Sequence, residues 1–67
     1  MSVSYDRLWK LMKANKMKKQ DLAKAAGLSS YMMGQLNKDA YVSLEVISTL
    51  CQLFHCNIED VVEIVED

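Results

Sequence analysis

Three side chains near the end of the chain have the chemistry of soft-metal ligands. Cys51 and His55 are four residues apart, a spacing that places both on one face of a helix, and Cys56 follows directly. A closed structural zinc site needs four ligands, and this group supplies only three. Cys51 also belongs to an apolar stripe that a buried helix requires. The pattern therefore predicts no metal site and no cofactor, and it favours two reduced, mostly buried thiols.

Enzyme catalysis is not expected from this sequence. The single histidine, His55, has no obvious nucleophile as a partner, and no glycine-rich phosphate loop occurs. A helical chain of 67 residues also leaves little room for a pocket. We therefore expect a binding protein rather than an enzyme.

A second set of side chains, within residues 30–38, has the chemistry for hydrogen bonds to nucleic acid. The helix expected there turns Ser30, Tyr31, Gln35 and Lys38 outward, and this face carries no carboxylate. Hydroxyl and amide groups suit base edges and phosphates better than an ordinary solvated surface. Gly34 lies on the same face and costs about 1 kcal/mol relative to alanine. It either permits close approach to DNA or is a tolerated defect, and both interpretations stay open.

The charge of the chain is divided between its two halves. Residues 1–40 contain all eight basic residues and three acids, a balance of +5, whereas residues 41–67 contain six acids and no Lys or Arg. The net charge of −1 hides this division. Attraction to phosphate depends on the local field of the binding face, so the first half favours DNA. Chance asymmetry between solvated helix faces is the alternative.

Two short helices joined by a turn are expected to position these groups. The first begins at residue 18 or 19, lacks a Ser or Thr cap, and ends at Ala26. Gly27 fits the left-handed residue that follows a helix, because glycine adopts that conformation without steric cost. Ser29 is expected to cap the second helix, which ends near Asn37. Residues 19–37 therefore form a helix-turn-helix.

Apolar residues at helical spacing predict three further helices and a single all-α domain over residues 1–67. Ser4 is expected to cap the first helix, Ser43 the fourth and Asn57 the fifth. No apolar run approaches the ~20 residues of a membrane span. The N-terminal residues also lack the apolar stretch of a secretory signal. We therefore expect a cytoplasmic protein.

The last of these helices is apolar on more than one side. Its outward apolar residues are Ile58, Val62, Ile64 and Val65. Surplus apolar surface on a terminal helix is typical of an interface, and we interpret these residues as a homodimer contact. The alternative is that this helix only closes the core.

The helix-turn-helix segment resembles that of Cro and lambda-repressor-type transcriptional regulators. The pattern of that family has seven constrained positions, and this chain matches all seven with Leu22, Ala23, Ala26, Gly27, Leu28, Met33 and Leu36. The resemblance extends over most of the chain, since residues 4–17, 43–46 and 56–61 look like the outer helices of small stand-alone members. It implies a five-helix lambda-repressor-like fold with the helix-turn-helix at helices 2 and 3.

The resemblance also implies how DNA is bound. The second helix of the motif enters the major groove, and the first lies across the backbone. By position, the expected base-contacting residues are Ser30, Tyr31 and Gln35. The expected phosphate-contacting residues are Lys19, Lys24, Ser29, Asn37 and Lys38. Many members pair an arginine with a glutamate where this chain has Met12 and Asn37, so no buried ion pair is expected here.

The sequence thus predicts a sequence-specific DNA-binding transcriptional regulator of prokaryotic or phage type. The resemblance favours a repressor that binds double-stranded DNA as a homodimer on a near-palindromic operator. The rival hypothesis is a protein-interaction module or antitoxin-like regulatory subunit that reuses the fold. The acidic second half and the methionines of the third helix favour that rival, because Met side chains adapt to varied partners.

Overall fold

Four α-helices form most of the protein. The structure is a computed structural model, and it describes residues 1–66. Within that range the order of elements is β1 (Ser2–Ser4), α1 (Asp6–Ala14), α2 (Lys19–Ala26), α3 (Ser30–Asn37), α4 (Leu44–Phe54), a 3-10 turn (Ile58–Asp60) and β2 (Glu63–Val65). No helix within residues 1–66 combines the length and the apolar character needed to cross a bilayer.

The ends of α2, α3 and α4 follow the local chemistry of the chain. Ser29 Oγ accepts a hydrogen bond from Met32 N–H at 3.2 Å, and Ser43 Oγ accepts one from Val46 N–H at 3.3 Å. Both serines therefore cap helices as predicted. Gly27 ends α2 in the left-handed conformation, with φ 67° and ψ 35°. These contacts confirm the predicted helix-turn-helix of α2 and α3.

A small apolar core joins every helix to β1 and to the residues before β2. Six side chains are almost completely buried: Tyr5, Leu8, Leu22, Leu36, Leu50 and Val61. Leu22 of α2 and Leu36 of α3 bring the helix-turn-helix onto this core. Burying such side chains is the main stabilising term in a domain this small. The position of α3 therefore depends on the whole core and not only on the turn at Gly27.

The prediction of a fifth α-helix is wrong. After α4 the chain forms a single 3-10 turn and then β2, which pairs with β1 in an antiparallel two-stranded sheet. The register places Val3 opposite Ile64 and Ser4 opposite Glu63. The segment VVEIV is rich in β-branched residues, which favour strands. Its pairing partner, β1, lies at the other end of the chain. The spacing of apolar residues within 58–65 gives no information about that partner. The fold is therefore mostly helical rather than all-α.

The N-terminal boundary also differs from the prediction. Ser4 belongs to β1, and α1 begins at Asp6 after Tyr5. Ser4 Oγ still accepts a hydrogen bond from Asp6 N–H at 3.3 Å, but pairing with β2 fixes the serine in a strand. Tyr5 is buried, and its O–H donates to Ala40 O at 2.6 Å. Burial, and to a smaller extent the nearby Asp39 carboxylate, raise the pKa of Tyr5.

The two cysteines are free thiols, but each is half-buried rather than mostly buried. His55 ends α4 in the left-handed conformation, with φ 54°, and Cys56 N–H donates to Cys51 O at 3.0 Å. Burial raises the pKa of the Cys56 thiol, and the Cys51 thiol raises it further. Within residues 1–66, no three His, Cys, Asp or Glu side chains are grouped so that they could hold a metal ion.

Candidate nucleic-acid interface

The turn between α2 and α3 sets the angle at which α3 is presented. Leu28 N–H donates to Ala23 O at 2.8 Å, and Gly27 N–H donates to Lys24 O at 3.3 Å. These bonds satisfy carbonyl groups that the end of α2 would otherwise leave unpaired. Met33 and Leu36 are buried on one side of α3, so the opposite side of the helix faces solvent. The turn and the core together hold α3 in one orientation at the surface.

The exposed side of α3 carries uncharged polar groups. Ser30 and Tyr31 are exposed and Gln35 is half-buried. Within residues 1–66, none of these three side chains forms a hydrogen bond, so each is available to a ligand. Tyr31 is the most prominent, with 72% of its surface exposed. We call Ser30, Tyr31, Gly34 and Gln35 the α3 polar face.

Gly34 lies in open space on this face. A Cβ atom added at Gly34 would have no neighbour within 4 Å beyond its own helix. Packing inside the protein therefore does not require glycine here, and its backbone conformation is ordinary helix. The missing side chain leaves a shallow place in the α3 polar face where another molecule can approach the backbone.

A groove of about 350 Å³ lies between α2 and α3, beside the α3 polar face. Its polar lining consists of Lys19, Gln20, Ser30 and Asn37. Lys19 and Gln20 belong to the first turn of α2, where backbone N–H groups lack partners within the helix. The groove thus combines a cation, amide groups and a hydroxyl, which is a chemistry suited to a phosphate oxygen.

Lys19 is held in place by groups from two other helices. Its Nζ donates to Asn37 Oδ1 of α3 at 2.6 Å. The same Nζ lies 4.5 Å from the centre of the Trp9 ring on α1, within the range of a cation–π contact. The ammonium therefore lies where α1, α2 and α3 meet, at the edge of the groove.

The other residues expected at phosphates differ in what they already contact. Lys24 and Lys38 are exposed, Lys24 in the last turn of α2 and Lys38 directly after α3. The Ser29 hydroxyl accepts the capping bond from Met32 N–H, but its own proton remains available to an acceptor. Asn37 Oδ1 is engaged by Lys19. The amide group of Asn37 stays a predicted phosphate contact, and its oxygen already holds the Lys19 ammonium.

One basic residue lies apart from this surface. Arg7 donates to Glu59 O at 2.8 Å and pairs with Glu63 at 3.5 Å. It is therefore committed to the acidic end of the chain, and the basic character of the groove comes from Lys19. The pair is half-exposed rather than buried, so its effect on stability is small.

Sequence reasoning missed two residues of this site. Gln20 lines the groove, and Trp9 lies against Lys19. Trp9 also packs against the core. Its second role could not be seen from periodicity, because Lys19 lies on another helix. For Gln20, the signal in the sequence was a polar amide in the first turn of α2.

The residues predicted at a homodimer contact do not lie on one helix. Ile58 is in the 3-10 turn, Ile64 and Val65 are in β2, and Val62 lies just before β2. Val62 is half-buried against the core, whereas the other three are exposed. We call Ile64 and Val65 the β2 surface.

Comparison with known proteins agrees with this geometry. The family model of the Cro/C1-type helix-turn-helix DNA-binding domain matches residues 7–67. The crystal structure of the transcriptional regulator VanUg superposes with a TM-score of 0.93 at 36% identity, over 98% of this chain and 88% of that chain. A search of curated protein sequences gave no significant match. This chain therefore belongs to the family of Cro/C1-type helix-turn-helix DNA-binding domains.

Proposed function

We propose that this chain is a sequence-specific transcriptional regulator, acting as a repressor, that inserts α3 into the major groove of double-stranded DNA. The observation that carries the proposal is the α3 polar face, whose side chains have no hydrogen-bond partner within residues 1–66 and lie beside the lysine-edged groove. The structural likeness to a transcriptional regulator at 36% identity supports the regulatory role.

In this mechanism different side chains supply position and sequence preference. Gln35 pairs with adenine N6 and N7, while Ser30 and Tyr31 contact neighbouring base edges or a thymine methyl group. Lys19, Lys24 and Lys38 contact phosphates, with Ser29 as a further hydroxyl donor. Repression follows from occupancy, because a protein bound over a promoter excludes other proteins from the same DNA.

We propose a homodimer that uses the β2 surface. β2 pairs with β1 on one edge, and no strand within residues 1–66 lies on its other edge. An unpaired strand edge with exposed Ile64 and Val65 is suited to pairing with a second copy. A two-fold dimer would accordingly read a near-palindromic operator.

Selection from a pool of random duplex DNA tests this function. The wild-type chain is expected to enrich one near-palindromic sequence, and a Gln35→Ala variant is expected to enrich a sequence relaxed at one base position in each half-site. No enriched sequence at modest salt would exclude sequence-specific regulation.

Protein binding is the second candidate function. Exposed apolar side chains at Tyr31, Tyr41 and Leu44, each more than two-thirds accessible, favour it. An antitoxin-like or regulatory subunit would bind its partner through such side chains. If Gln35→Ala and Lys38→Ala both leave DNA binding unchanged, this candidate gains over the DNA-binding one.

A further inference from the structure

We propose that Trp9 and Asn37 are positioning residues that hold the Lys19 ammonium as a preformed phosphate site at the edge of the α2–α3 groove. The inference rests on the proposed DNA binding and identifies how one phosphate contact is built. It assigns to Trp9 a role beyond its packing against the core.

The geometry restrains a side chain that is normally mobile. A lysine side chain has about 2 kcal/mol of rotamer entropy to lose when it is fixed on a ligand. Here two contacts already restrict it, the 2.6 Å bond to Asn37 Oδ1 and the Trp9 ring 4.5 Å from Nζ. A phosphate that binds this ammonium therefore fixes less additional freedom than it would at Lys24 or Lys38, for which no contact of either kind occurs within residues 1–66.

Both groups that restrain Lys19 are uncharged, so the ammonium keeps its positive charge for a phosphate. An amide oxygen and an aromatic ring hold the ammonium without neutralising it. No salt bridge involves Lys19 within the described part of the chain. An ammonium group has three donors, and Asn37 takes one of them. The remaining donors and the full positive charge stay available at the groove, next to Gln20 and Ser30.

The identity of residue 37 is therefore critical. A carboxylate at this position would pair with Lys19 and cancel the charge that attracts phosphate. Asn37→Asp is nearly isosteric and tests this point directly, since it keeps the anchor and removes only the net charge. Asn37→Ala removes the anchor and keeps the charge. Asn37 is exposed, so neither change disturbs the core.

The salt dependence of DNA binding separates these effects. The slope of log affinity against log salt reports the number of neutralised phosphates, at about 0.9 for each phosphate on B-DNA. Lys19→Ala is expected to weaken binding to a random-sequence duplex and to lower the slope by about 0.9. Asn37→Asp is expected to lower the slope similarly. Asn37→Ala and Trp9→Leu are expected to weaken binding by roughly threefold to tenfold with the slope unchanged, because the charge remains.

A double-mutant cycle tests whether Trp9 acts through Lys19. In the Lys19→Ala background, Trp9→Leu is expected to have no further effect on affinity for the same duplex. Trp9→Phe keeps an aromatic ring and is expected to retain most of the affinity. A purely structural role for Trp9 would give the same loss in both backgrounds and no rescue by phenylalanine. That result would overturn the proposal.

The restraint on Lys19 is also measurable without DNA. The aromatic ring is expected to shift the Lys19 ε-methylene proton resonance away from that of Lys24, and Asn37→Ala is expected to reduce this shift. Equal resonances for the two lysines would contradict the preformed site. If the wild-type chain binds no duplex at low salt, the proposed function and this inference both fail. If it binds and all variants match it in affinity and slope, only the inference fails.

Discussion

The α2–α3 surface and the β2 surface present different chemistry to solvent. On the first, hydroxyl and amide groups without partners in residues 30–35 lie beside a groove edged by the Lys19 ammonium. On the second, Ile64 and Val65 are exposed among acids, with Glu63 in the same strand and Glu66 directly after it. Phosphate is attracted to the first surface and repelled from the second. Exposed apolar side chains on a strand favour contact with protein.

The difference suggests a division of roles within one small domain. In the proposed function, DNA contacts come from the half of the chain that holds every basic residue, and the proposed self-association uses the acidic half. Carboxylates near a DNA-binding face would repel phosphates and weaken their contacts. Acids are therefore best tolerated in the second half of the chain.

Removing core support from α3 has the largest expected effect. Leu36 is fully buried, and Leu36→Ala is expected to lower the free energy of unfolding by about 2–5 kcal/mol. Leu44→Ala is the control, because Leu44 is 73% exposed and its loss is expected to cost less than about 0.5 kcal/mol. Urea denaturation followed by circular dichroism measures both. Equal effects for the two leucines would contradict the assigned core.

Charging the β2 surface is expected to separate the proposed homodimer. Ile64→Lys places an ammonium where Ile64 is exposed, so it is expected to weaken self-association by at least about tenfold and to leave the monomer folded. Glu66→Gln raises the net charge by the same amount without adding a charge to the strand, and it serves as the control. Sedimentation velocity over a concentration series measures the association. Unchanged association for Ile64→Lys would remove β2 from the interface.

Two substitutions at the α2–α3 surface are expected to have different effects on DNA binding, one on base preference and one on overall affinity. Gln35→Ala should lose about 1–3 kcal/mol of discrimination at one base position, because a bidentate contact to adenine is removed. Lys38→Ala should weaken binding to all sequences and lower the salt slope by about 1. Competition binding with single-base variants of the selected sequence measures both. A uniform loss for Gln35→Ala would make it a phosphate contact instead.

Tyr5 follows β1 and joins it to the loop after α3 by hydrogen bonds to Asp39 and Ala40. Tyr5→Phe removes the hydrogen bond from its O–H to Ala40 O, at an expected cost of about 1 kcal/mol. Because the pKa of Tyr5 is raised on folding, the folded state favours the neutral phenol. This contribution to stability is present below the unfolded pKa of about 10 and is lost as pH rises above it. Thermal unfolding at neutral and at alkaline pH should show a smaller decline for Tyr5→Phe than for wild type.

Gly34→Ala has the smallest expected effect on the fold and separates the two interpretations of this glycine. Open space around the position predicts a stability gain of about 0.5–1 kcal/mol in the helix. If DNA approaches the backbone there, affinity for the selected sequence falls although stability rises. If the glycine is a tolerated defect, affinity stays at the wild-type value. Denaturation and DNA titration of the same preparation decide between them.

Local chemistry was sufficient to predict the helix-turn-helix. Gly27, Ser29 and Ser43 each act on residues within one helical turn, so their roles are visible in the sequence. The strand β2 depends on Val3 and its neighbours at the opposite end of the chain, and no window around residues 58–65 contains that information. The buried Val61 and its β-branched neighbours fit either a helix or a strand, and only the pairing of β2 with β1 distinguishes the two.

The candidate site shows the same limit. The outward positions of α3 follow from helical spacing, and the structure exposes Ser30 and Tyr31 and leaves Gln35 half-buried. The contacts of Lys19 with Trp9 and Asn37 join three helices, and periodicity within any one of them cannot reveal such a junction. The side-chain types of the site could therefore be predicted from the sequence, whereas their arrangement depends on tertiary packing.

Chemical-shift mapping with the selected duplex tests whether DNA binds to the α3 polar face. Amide signals of a wild-type chain already dimerised in the absence of DNA are expected to shift most at Ser30, Tyr31 and Gln35 and at the first turn of α2. Signals of Ile64 and Val65 are expected to stay in place, because in the proposed homodimer the β2 surface already contacts a second copy. Large shifts on the β2 surface, with the α3 signals unchanged, would contradict DNA binding by α3.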